Sequence, residues 1–250
     1  MDINKYFPTR RTIRKYDPNR PVPESLIRSM LKDASQAPNT GNMQIYSVII
    51  TRSEEGKAAL APAHFNQPSV MGASAVLTFC IDLNRFNEWC RINHAVPGLN
   101  NLQGFTWGVI DTSIFAQQFC TIAEMNGLGT CYLGTTTYNA ETIARALDLP
   151  AEVIPVITVT VGYPAEEPEI SDRLPIDAIV HDEHYHRADA KEIAAIYSEK
   201  EALPSSATFI TENSKDNLAQ VYAEVRYPKE ANETFSKVYR DFLKNQGIDI

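Results

Sequence analysis

The stretch "WGVIDTSIFAQQFCTIAEMNGLGTCYLGT", Trp107 to Thr135, joins a long apolar helix pattern to a short strand pattern. Over residues 107–127 the apolar residues leave little room for a solvated face, which is typical of a helix buried in a core or a subunit interface. Gly127 is a residue type that ends helices, and "GTCYLGT" after it predicts a strand. The sequence therefore predicts a helix that is buried on nearly every side, followed directly by a strand.

Further strands and helices are predicted on both sides of this stretch. The strand patterns are "YSVIIT" (46–51), "AVLTFCID" (75–82) and "VIPVITVTVGYP" (153–164), and the helix patterns are residues 23–34 and the run opened by Asn139. The second strand is almost continuously apolar, as expected for a strand covered on both faces. Strands that alternate with helices predict a layered α/β domain, and the residues alone leave the strand order open.

The C-terminal part of the chain has a different pattern. After Pro164 the sequence is rich in proline and charge, and it then gives helical patterns and no strand pattern. Because no long Gly/Ser linker marks a boundary, we expect residues 1–190 to form the main domain and residues 191–250 a helical extension packed on it.

Composition excludes several classes of function. The 250 residues carry a formal net charge of -8, so no broad basic surface is available for nucleic acid or anionic lipid. The N-terminus lacks the apolar run of a signal peptide, and no apolar stretch approaches the roughly 20 residues needed to cross a bilayer. We therefore expect a cytoplasmic protein with neither a nucleic-acid partner nor a membrane partner.

Cysteine and histidine patterns do not predict a metal site. The four cysteines are too widely spaced for a CxxC pair, which argues against a disulfide framework and against zinc. The segment "HDEHYH", residues 181–186, lies in a polar and extended context, where alternating side chains point to opposite faces. We expect these histidines to be solvated.

The stretch "RRTIRKY", Arg10–Tyr16, places three arginines and one lysine in seven residues, and we name it the arginine segment. Planar guanidinium groups suit a phosphate that is held in one orientation, and Ile13 is placed to anchor the turn to the core. The alternative is a set of surface arginines that only keep a turn soluble.

A second polar loop, "NTGNMQ" from Asn39 to Gln44, follows a helix stop, and we name it the asparagine loop. Its short polar side chains suit a ligand with many polar edges, and an ordinary turn-rich loop is the alternative. "GLGTCYLGT" matches neither GxGxxG nor the Walker pattern, and it ends a helix before a strand, so we reject Rossmann and P-loop sites. With no GxSxG, HExxH or activated cysteine, an enzyme of this sequence would depend on a cofactor for its chemistry.

Taken in order, "RRTIRKY", "APNTGNMQ", Gln67, "GLGTCYLG" and "DRLP" resemble the nitroreductase family of FMN-dependent NAD(P)H oxidoreductases, in particular its larger oxygen-insensitive members. The resemblance implies an α+β nitroreductase-like fold with a mixed, mainly antiparallel sheet flanked by helices. It also implies an intertwined homodimer with FMN at the interface. The implied reaction is a ping-pong, two-electron reduction of nitroaromatics, quinones or flavins with NADH or NADPH as donor.

The resemblance assigns the cofactor-binding residues by position and assigns no catalytic side chain. The arginines hold the phosphate, the asparagine loop comes from the other subunit, Gln67 reaches the polar edge of the ring, and residues 132–135 cover the ring with a backbone N–H near N5. The implied FMN ligands are Arg10, Arg11, Thr12, Arg14, Asn39, Thr40, Asn42, Gln67, Tyr132, Leu133, Gly134, Thr135 and Arg173.

Two residues depart from the family pattern. Ser171 stands where relatives often carry a lysine, and Thr135 replaces a glycine that is common in the "YIGG" form. Both departures affect the expected rate and acceptor range more than FMN binding itself. Two alternatives stay open: a specialised flavoenzyme of the same fold, such as a dehalogenase or a flavin-fragmenting enzyme, and a non-enzymatic flavin-binding protein, which the Ser171 departure keeps open.

Overall fold

The structure of the protein is a computed structural model that describes residues 3–250, with helices and one four-stranded sheet. The helices are α1 (Ile3–Thr9), α2 (Glu24–Ala34), α3 (Glu54–Leu60), α4 (Pro68–Gly72), α5 (Leu83–Ile92), α6 (Leu102–Met125), α7 (Ala140–Ala146), α8 (Ala190–Glu201), α9 (Pro204–Glu212), α10 (Leu218–Gln220) and α11 (Lys229–Asn245). The strands are β1 (Tyr46–Thr51), β2 (Ala75–Asp82), β3 (Gly129–Leu133) and β4 (Val153–Gly162).

The chain divides into two compact units. The first contains the described residues up to Glu169 together with Ser236–Ile250, and the second is Ile170–Phe235. All four strands belong to the first unit, whereas the second contains helices α8 to α10, a π-helical turn at Val221–Arg226 and the first residues of α11. The sequence-based division at residue 190 stays a prediction of domain organisation. Among the described residues, no helix combines the length and apolar character that a membrane span requires.

The sheet has the strand order β1-β2-β4-β3, and every neighbouring pair is antiparallel. This confirms the α+β class and corrects the layered α/β expectation drawn from the alternation of helices and strands. Among residues 3–250, parallel pairing occurs only as an isolated bridge between Asn101 and Asp249. Alternation along the chain does not require parallel strands, because a helix can also return the chain to an antiparallel neighbour.

The strands begin where the sequence predicts them. β1 and β2 have the predicted bounds, and β2 is buried at every position, as its continuous apolar run indicates. The apolar helix α6 is longer than predicted, because it begins at Leu102 instead of Trp107. Its first turn is capped by Asn101, whose side chain accepts a hydrogen bond from the backbone N–H of Gly104 at 3.0 Å.

The core of the first unit lies between α6 and the sheet. Phe79 of β2 meets Phe115 and Phe119 of α6, with ring centroids 5.5 Å and 5.9 Å apart. All three rings are buried, and such aromatic pairs favour one packing arrangement over others. The face of α6 that carries Phe115 and Phe119 therefore packs against the sheet. The position of α6 matters for the site, because the arginine segment and the asparagine loop both contact this helix.

Candidate active site

The arginine segment lies beside β3, at the edge of the sheet. The backbone N–H of Ile13 donates to the carbonyl oxygen of Thr130 at 3.0 Å, and Tyr16 forms an antiparallel bridge with Pro164. Ile13 is 6% exposed, so the predicted anchor is confirmed. The guanidinium groups on either side of Ile13 are consequently held next to the end of β3.

Two glycines let the arginine segment approach the sheet this closely. A Cβ atom at Gly129 would lie 2.5 Å from the Cβ of Ile13, and one at Gly162 would lie 2.8 Å from the ring of Tyr16. Both distances are shorter than real side-chain contacts allow. A side chain at either position would push the arginine segment away from β3 and β4.

Arg10 binds a buried carboxylate. Its Nε and Nη2 donate to the two oxygens of Glu124 at 3.2 Å and 3.1 Å, while Tyr6 donates its hydroxyl to the same carboxylate at 2.6 Å. Thr130 donates a further hydroxyl to Glu124, whose side chain is only 8% exposed. Burial alone lowers the pKa of Arg10, but the charge of Glu124 outweighs it and raises the pKa above its ordinary value. The third nitrogen of the Arg10 guanidinium, Nη1, donates to the Thr12 hydroxyl oxygen at 3.5 Å.

Arg11 and Arg14 have weaker or no acidic partners. Arg11 Nη1 donates to Glu167 at 3.1 Å, and the Glu167 side chain is 84% exposed, so this ion pair contributes at most about 1 kcal/mol. Arg14 is exposed and takes part in no ion pair among residues 3–250. Arg11 also donates from Nε to the carbonyl oxygen of Thr9 at 3.3 Å and from Nη1 to that of Pro168 at 2.9 Å. An incoming anion would compete with these contacts at Arg11, whereas it would displace no ion-paired acid at the Arg14 guanidinium among the described residues.

The backbone of the arginine segment is held by Glu166. Its carboxylate accepts from the backbone N–H groups of Arg14 at 2.8 Å and Lys15 at 3.0 Å. These backbone hydrogen bonds hold the pKa of Glu166 below its ordinary value. Glu166 thus fixes the main chain of the segment without occupying the Arg14 side chain.

The asparagine loop is anchored by a second buried acid on α6. Asp111 is 2% exposed and accepts from the Thr40 backbone N–H and hydroxyl, each at 3.0 Å. Gly41 and Asn42 both have positive φ angles, so the loop turns sharply after Thr40. Asn42 is exposed, and Asn39 and Thr40 are half-buried.

Asp111 and Glu124 stand thirteen residues apart on the same helix. At 1.5 Å per residue, their attachment points are about 20 Å apart along α6. Within one chain, the arginine segment and the asparagine loop are therefore tied to different parts of this helix.

Gln67 and Thr135, two predicted ligands, are linked by a histidine. The backbone N–H of Gln67 donates to the carbonyl oxygen of His64 at 3.2 Å, and Nδ1 of His64 lies 2.8 Å from the hydroxyl oxygen of Thr135. His64 is fully buried, and burial lowers its pKa to about 4. The ring is therefore neutral at pH 7.

Residues 132–135 form the end of β3 and the turn after it. The Leu133 side chain is buried in the core, so only its backbone is available to a ligand. Tyr132 is half-buried, and Gly134 is exposed with no atom within 4 Å of the place where a Cβ would stand. Packing of this chain does not demand glycine at position 134, and the space beside the turn is open.

Arg173 lies in the second compact unit. Its Nη1 donates to the carbonyl oxygens of Ser171 at 3.1 Å and Asp172 at 2.7 Å. Asp172 accepts from Lys200 at 2.7 Å, and this contact holds the pKa of Asp172 below its ordinary value. Arg173 itself is exposed.

The histidine-rich segment does not form a metal centre. His186 pairs with Glu192 at 3.2 Å, and His181 packs against the ring of Tyr185. Within residues 3–250, no group of three or more His, Cys, Asp or Glu side chains is arranged to hold a metal ion.

Comparison with known proteins agrees with the position of these segments. Residues 8–163 match the family described as "Nitroreductase family". The chain belongs to the nitroreductase family. The resemblance seen in the ordered motifs is thereby confirmed, and the matched range takes in the arginine segment, the asparagine loop, Gln67 and the turn after β3.

Relatives span nearly the whole chain. It is 30% identical over 241 residues to the Cr(VI) reductase of Pseudomonas sp. (strain G-1), covering 95% of each protein. It is 26% identical to the FMN reductase (NAD(P)H) of Bacillus subtilis (strain 168), covering 100% of this chain and 98% of that protein. A crystal structure of a Bacteroides fragilis protein described as an oxidoreductase has a TM-score of 0.95 and 49% identity, covering 97% of this chain and 98% of the other.

Sequence reasoning missed three residues that hold the predicted segments in place. Asp111 and Glu124 are acids within a helix that is otherwise apolar nearly all round, and such acids require partners because a buried, unpaired carboxylate is costly. An acid in an apolar helix is visible in the sequence, so Asp111 and Glu124 could both have been identified as residues that bind another segment. His64 offered no comparable signal, because its link to Thr135 joins positions 71 residues apart.

Proposed function

We propose that this chain is an FMN-dependent NAD(P)H oxidoreductase that transfers two electrons from NADH or NADPH to a small oxidised acceptor. The observation that carries the proposal is the arginine segment, which Ile13 fixes to the strand that leads into residues 132–135. Within it the Arg14 guanidinium is exposed and forms no ion pair among the described residues. The activities named for the relatives, reduction of FMN and of Cr(VI), are oxidoreductions of this general kind.

The residues present fit an FMN molecule. Arg11, Thr12 and Arg14 would hold its phosphate by charge-assisted hydrogen bonds, with Arg10 adding positive charge. Arg173, in the second unit, stays a ligand predicted from the sequence. No atom lies within 4 Å of the place where a Cβ of Gly134 would stand, so a flat ring could approach this turn, and Gln67 would supply a polar group for the edge of that ring. Bound FMN supplies the hydride-transfer chemistry, which explains why no acid–base pair of side chains is needed.

The same pocket would serve the donor and the acceptor in turn. We propose nitroaromatics, quinones and free flavins as acceptors, and chromate joins the acceptors to be tested because of the Pseudomonas relative. We propose that the enzyme works in the cytoplasm, where both donor nucleotides are present. Backbone N–H groups of residues 133–135 would stabilise negative charge that develops on the ring.

We further propose that the protein forms a homodimer. Ile110 and Ile114 on α6 are 48% and 36% exposed, although α6 already buries its opposite face against the sheet. A helix that is apolar on both faces gains stability when a second surface covers it. The separate attachment of the asparagine loop and the arginine segment to α6 supports a site to which two copies each contribute one of these segments.

The decisive experiment is a visible absorption spectrum of the purified protein, followed by anaerobic addition of NADH or NADPH. We expect an oxidised-flavin spectrum that bleaches, faster with the preferred nucleotide. A colourless protein that also fails to bind added FMN would refute the proposal. Gel filtration with light scattering at the same step tests the dimer.

Variants of the arginine segment test the phosphate site. Removing a charge-assisted hydrogen bond costs about 1.5–3 kcal/mol, so we expect Arg14→Ala to weaken FMN binding about 10- to 150-fold. Lys15→Ala is the matched control, because Lys15 is the neighbouring cation and its side chain is 79% exposed. Equal FMN affinity in the two variants would contradict the role of Arg14.

Acceptor screening separates the remaining alternatives. A specialised enzyme of this fold would prefer halogenated phenols or would consume reduced FMN with oxygen. A flavin-binding protein without catalytic activity would retain FMN and oxidise neither NADH nor NADPH with any acceptor.

A further inference from the structure

We infer that the Thr135 hydroxyl is a hydrogen-bond donor to the ring of the bound cofactor, and that His64 orients this hydroxyl. The inference rests on the proposed FMN function and goes beyond it, because it assigns a positioning role to His64 and a ligand-binding role to the Thr135 side chain. Both groups belong to the described part of the first compact unit.

The geometry leaves two arrangements for the contact between these residues. Nδ1 of His64 and Oγ1 of Thr135 are 2.8 Å apart, and either atom can be the donor. A neutral imidazole carries one N–H and one lone pair. If Nδ1 carries the hydrogen, Nε2 has the lone pair; if Thr135 donates to Nδ1, Nε2 carries the hydrogen.

Burial selects between the two arrangements. His64 is 0% exposed, and its Nε2 has no hydrogen-bond partner among the described residues. A buried N–H without a partner is rarer and more costly than an unpaired acceptor. The favoured form therefore places the hydrogen on Nδ1 and the lone pair on Nε2. The ring does not carry a hydrogen on both nitrogens at pH 7, since burial lowers the pKa of His64 to about 4.

This choice of tautomer fixes what Thr135 can do. The hydroxyl oxygen uses one lone pair to accept from His64 Nδ1, so its own hydrogen is not used in that contact. The hydroxyl hydrogen is consequently turned away from His64. Thr135 is half-buried and directly follows Gly134, beside which there is open space, so this hydrogen is available to a ligand at that turn.

The loop that carries His64 is built to hold the ring in place. Phe65 and Asn66 both have positive φ angles, and this conformation is uncommon for a bulky residue such as Phe65. Asn139 donates its side-chain amide to the carbonyl oxygen of Ala63 at 2.8 Å. The His64 loop is thus held at two points, by Thr135 and by Asn139.

Nuclear magnetic resonance of ¹⁵N-labelled histidine tests the orientation in the protein as purified. Protonated and unprotonated ring nitrogens have well-separated ¹⁵N shifts, and His64→Asn identifies the His64 signals. We expect the hydrogen on Nδ1 at pH 7. A hydrogen on Nε2 would overturn the inference, because Thr135 would then donate to His64.

Cofactor affinity tests the ligand-facing role. Free FMN is measured by fluorescence as the holoenzyme is diluted, so no cofactor-free protein is prepared. A net hydrogen bond of about 0.5–1.5 kcal/mol corresponds to roughly two- to 13-fold in affinity, so we expect Thr135→Val to bind FMN more weakly within that range. Thr135→Ser retains the hydroxyl and should stay within twofold of the wild type.

Thr136→Val is the matched control for damage to the turn. Thr136 is 1% exposed and donates its hydroxyl to the carbonyl oxygen of Leu133 at 2.9 Å, so its role lies within the protein. We expect Thr136→Val to lower thermal stability and to change FMN affinity less than Thr135→Val does. Equal loss of affinity in the two valine variants, or unchanged affinity in Thr135→Val, would overturn the inference. Failure of the proposed function would look different, since the wild type itself would then bind no FMN.

Discussion

Replacing Glu124 with glutamine tests whether the buried carboxylate organises the arginine segment. The substitution keeps the size of the side chain and removes its charge. Arg10 then loses its charged partner and at least one of its two hydrogen bonds, at 3.2 Å and 3.1 Å, and the Tyr6 hydroxyl loses a charged acceptor. The amide of glutamine brings two donors into a place where three neighbouring groups already donate.

The magnitude follows from the burial of the two partners. Removing one member of a buried ion pair costs about 3–5 kcal/mol, because the other charge is left without compensation. The Arg10 side chain retains 25% of its exposure, so water screens part of that charge and the lower end of the range applies. We expect Glu124→Gln to lower the free energy of unfolding by about 3 kcal/mol. For a chain of this size, that loss lowers Tm by roughly 6–12 °C.

Urea unfolding at a fixed protein concentration measures this loss, since an oligomer's stability depends on concentration. Glu88→Gln is the matched control: Glu88 pairs with Arg91 on α5, but its side chain is 56% exposed, so at most about 1 kcal/mol is expected. Adding Arg10→Met to Glu124→Gln should restore part of the stability, because the uncompensated charge is then gone. A loss in Glu124→Gln no larger than in Glu88→Gln would refute the reasoning.

Three further predictions follow from buried groups. Because the pKa of His64 is about 4 in the folded chain and about 6.5 when unfolded, the unfolded chain takes up the proton first as the pH falls. The contribution of the neutral His64 ring to the free energy of unfolding is complete above pH 6.5 and is lost towards pH 4. Urea titrations across this pH range should therefore show that the wild type loses roughly 3 kcal/mol more of its free energy of unfolding than His64→Asn does. Gly129→Ala should cost about 1–3 kcal/mol by calorimetry, because the new Cβ would meet Ile13 at 2.5 Å, whereas Gly98→Ala meets nothing within 4 Å and should be neutral. Asp111→Asn should lower stability by about 1–3 kcal/mol and speed protease cleavage in the asparagine loop, and unchanged cleavage would contradict its anchoring role.

Much of the fold could be predicted because its strands follow simple patterns. β1 and β2 consist of β-branched and apolar residues bounded by polar ones, and each strand has the bounds that its sequence indicates. Strand pairing was beyond the same reasoning. The order β1-β2-β4-β3 depends on contacts between residues far apart in the chain, and alternation with helices is compatible with both parallel and antiparallel sheets.

The site could be predicted in its segments but not in its internal contacts. Three arginines around a buried isoleucine were visible in the sequence, and so was the group for which they are suited. Their different roles were not visible, because Arg10 pairs with Glu124, 114 residues away in the sequence, whereas the Arg14 side chain forms no ion pair among the described residues. A guanidinium group has the same chemistry in each position, so only its folded neighbours distinguish an internal partner from an available one.

The otherwise apolar helix α6 carries two buried acids, and each of them holds one polar segment of the site. Asp111 holds the asparagine loop and Glu124 holds the arginine segment, at points about 20 Å apart along one rigid element. If α6 also forms the proposed contact between two copies, each polar segment is tied to the same helix that positions the partner. Displacing α6 would then move both segments at once, so cofactor binding and dimer formation should weaken together. A polar substitution on the exposed face, Ile114→Glu, should therefore lower FMN affinity and dimer content in parallel, measured by dilution fluorescence and light scattering. A monomer that binds FMN as tightly as the wild type would show that one chain suffices.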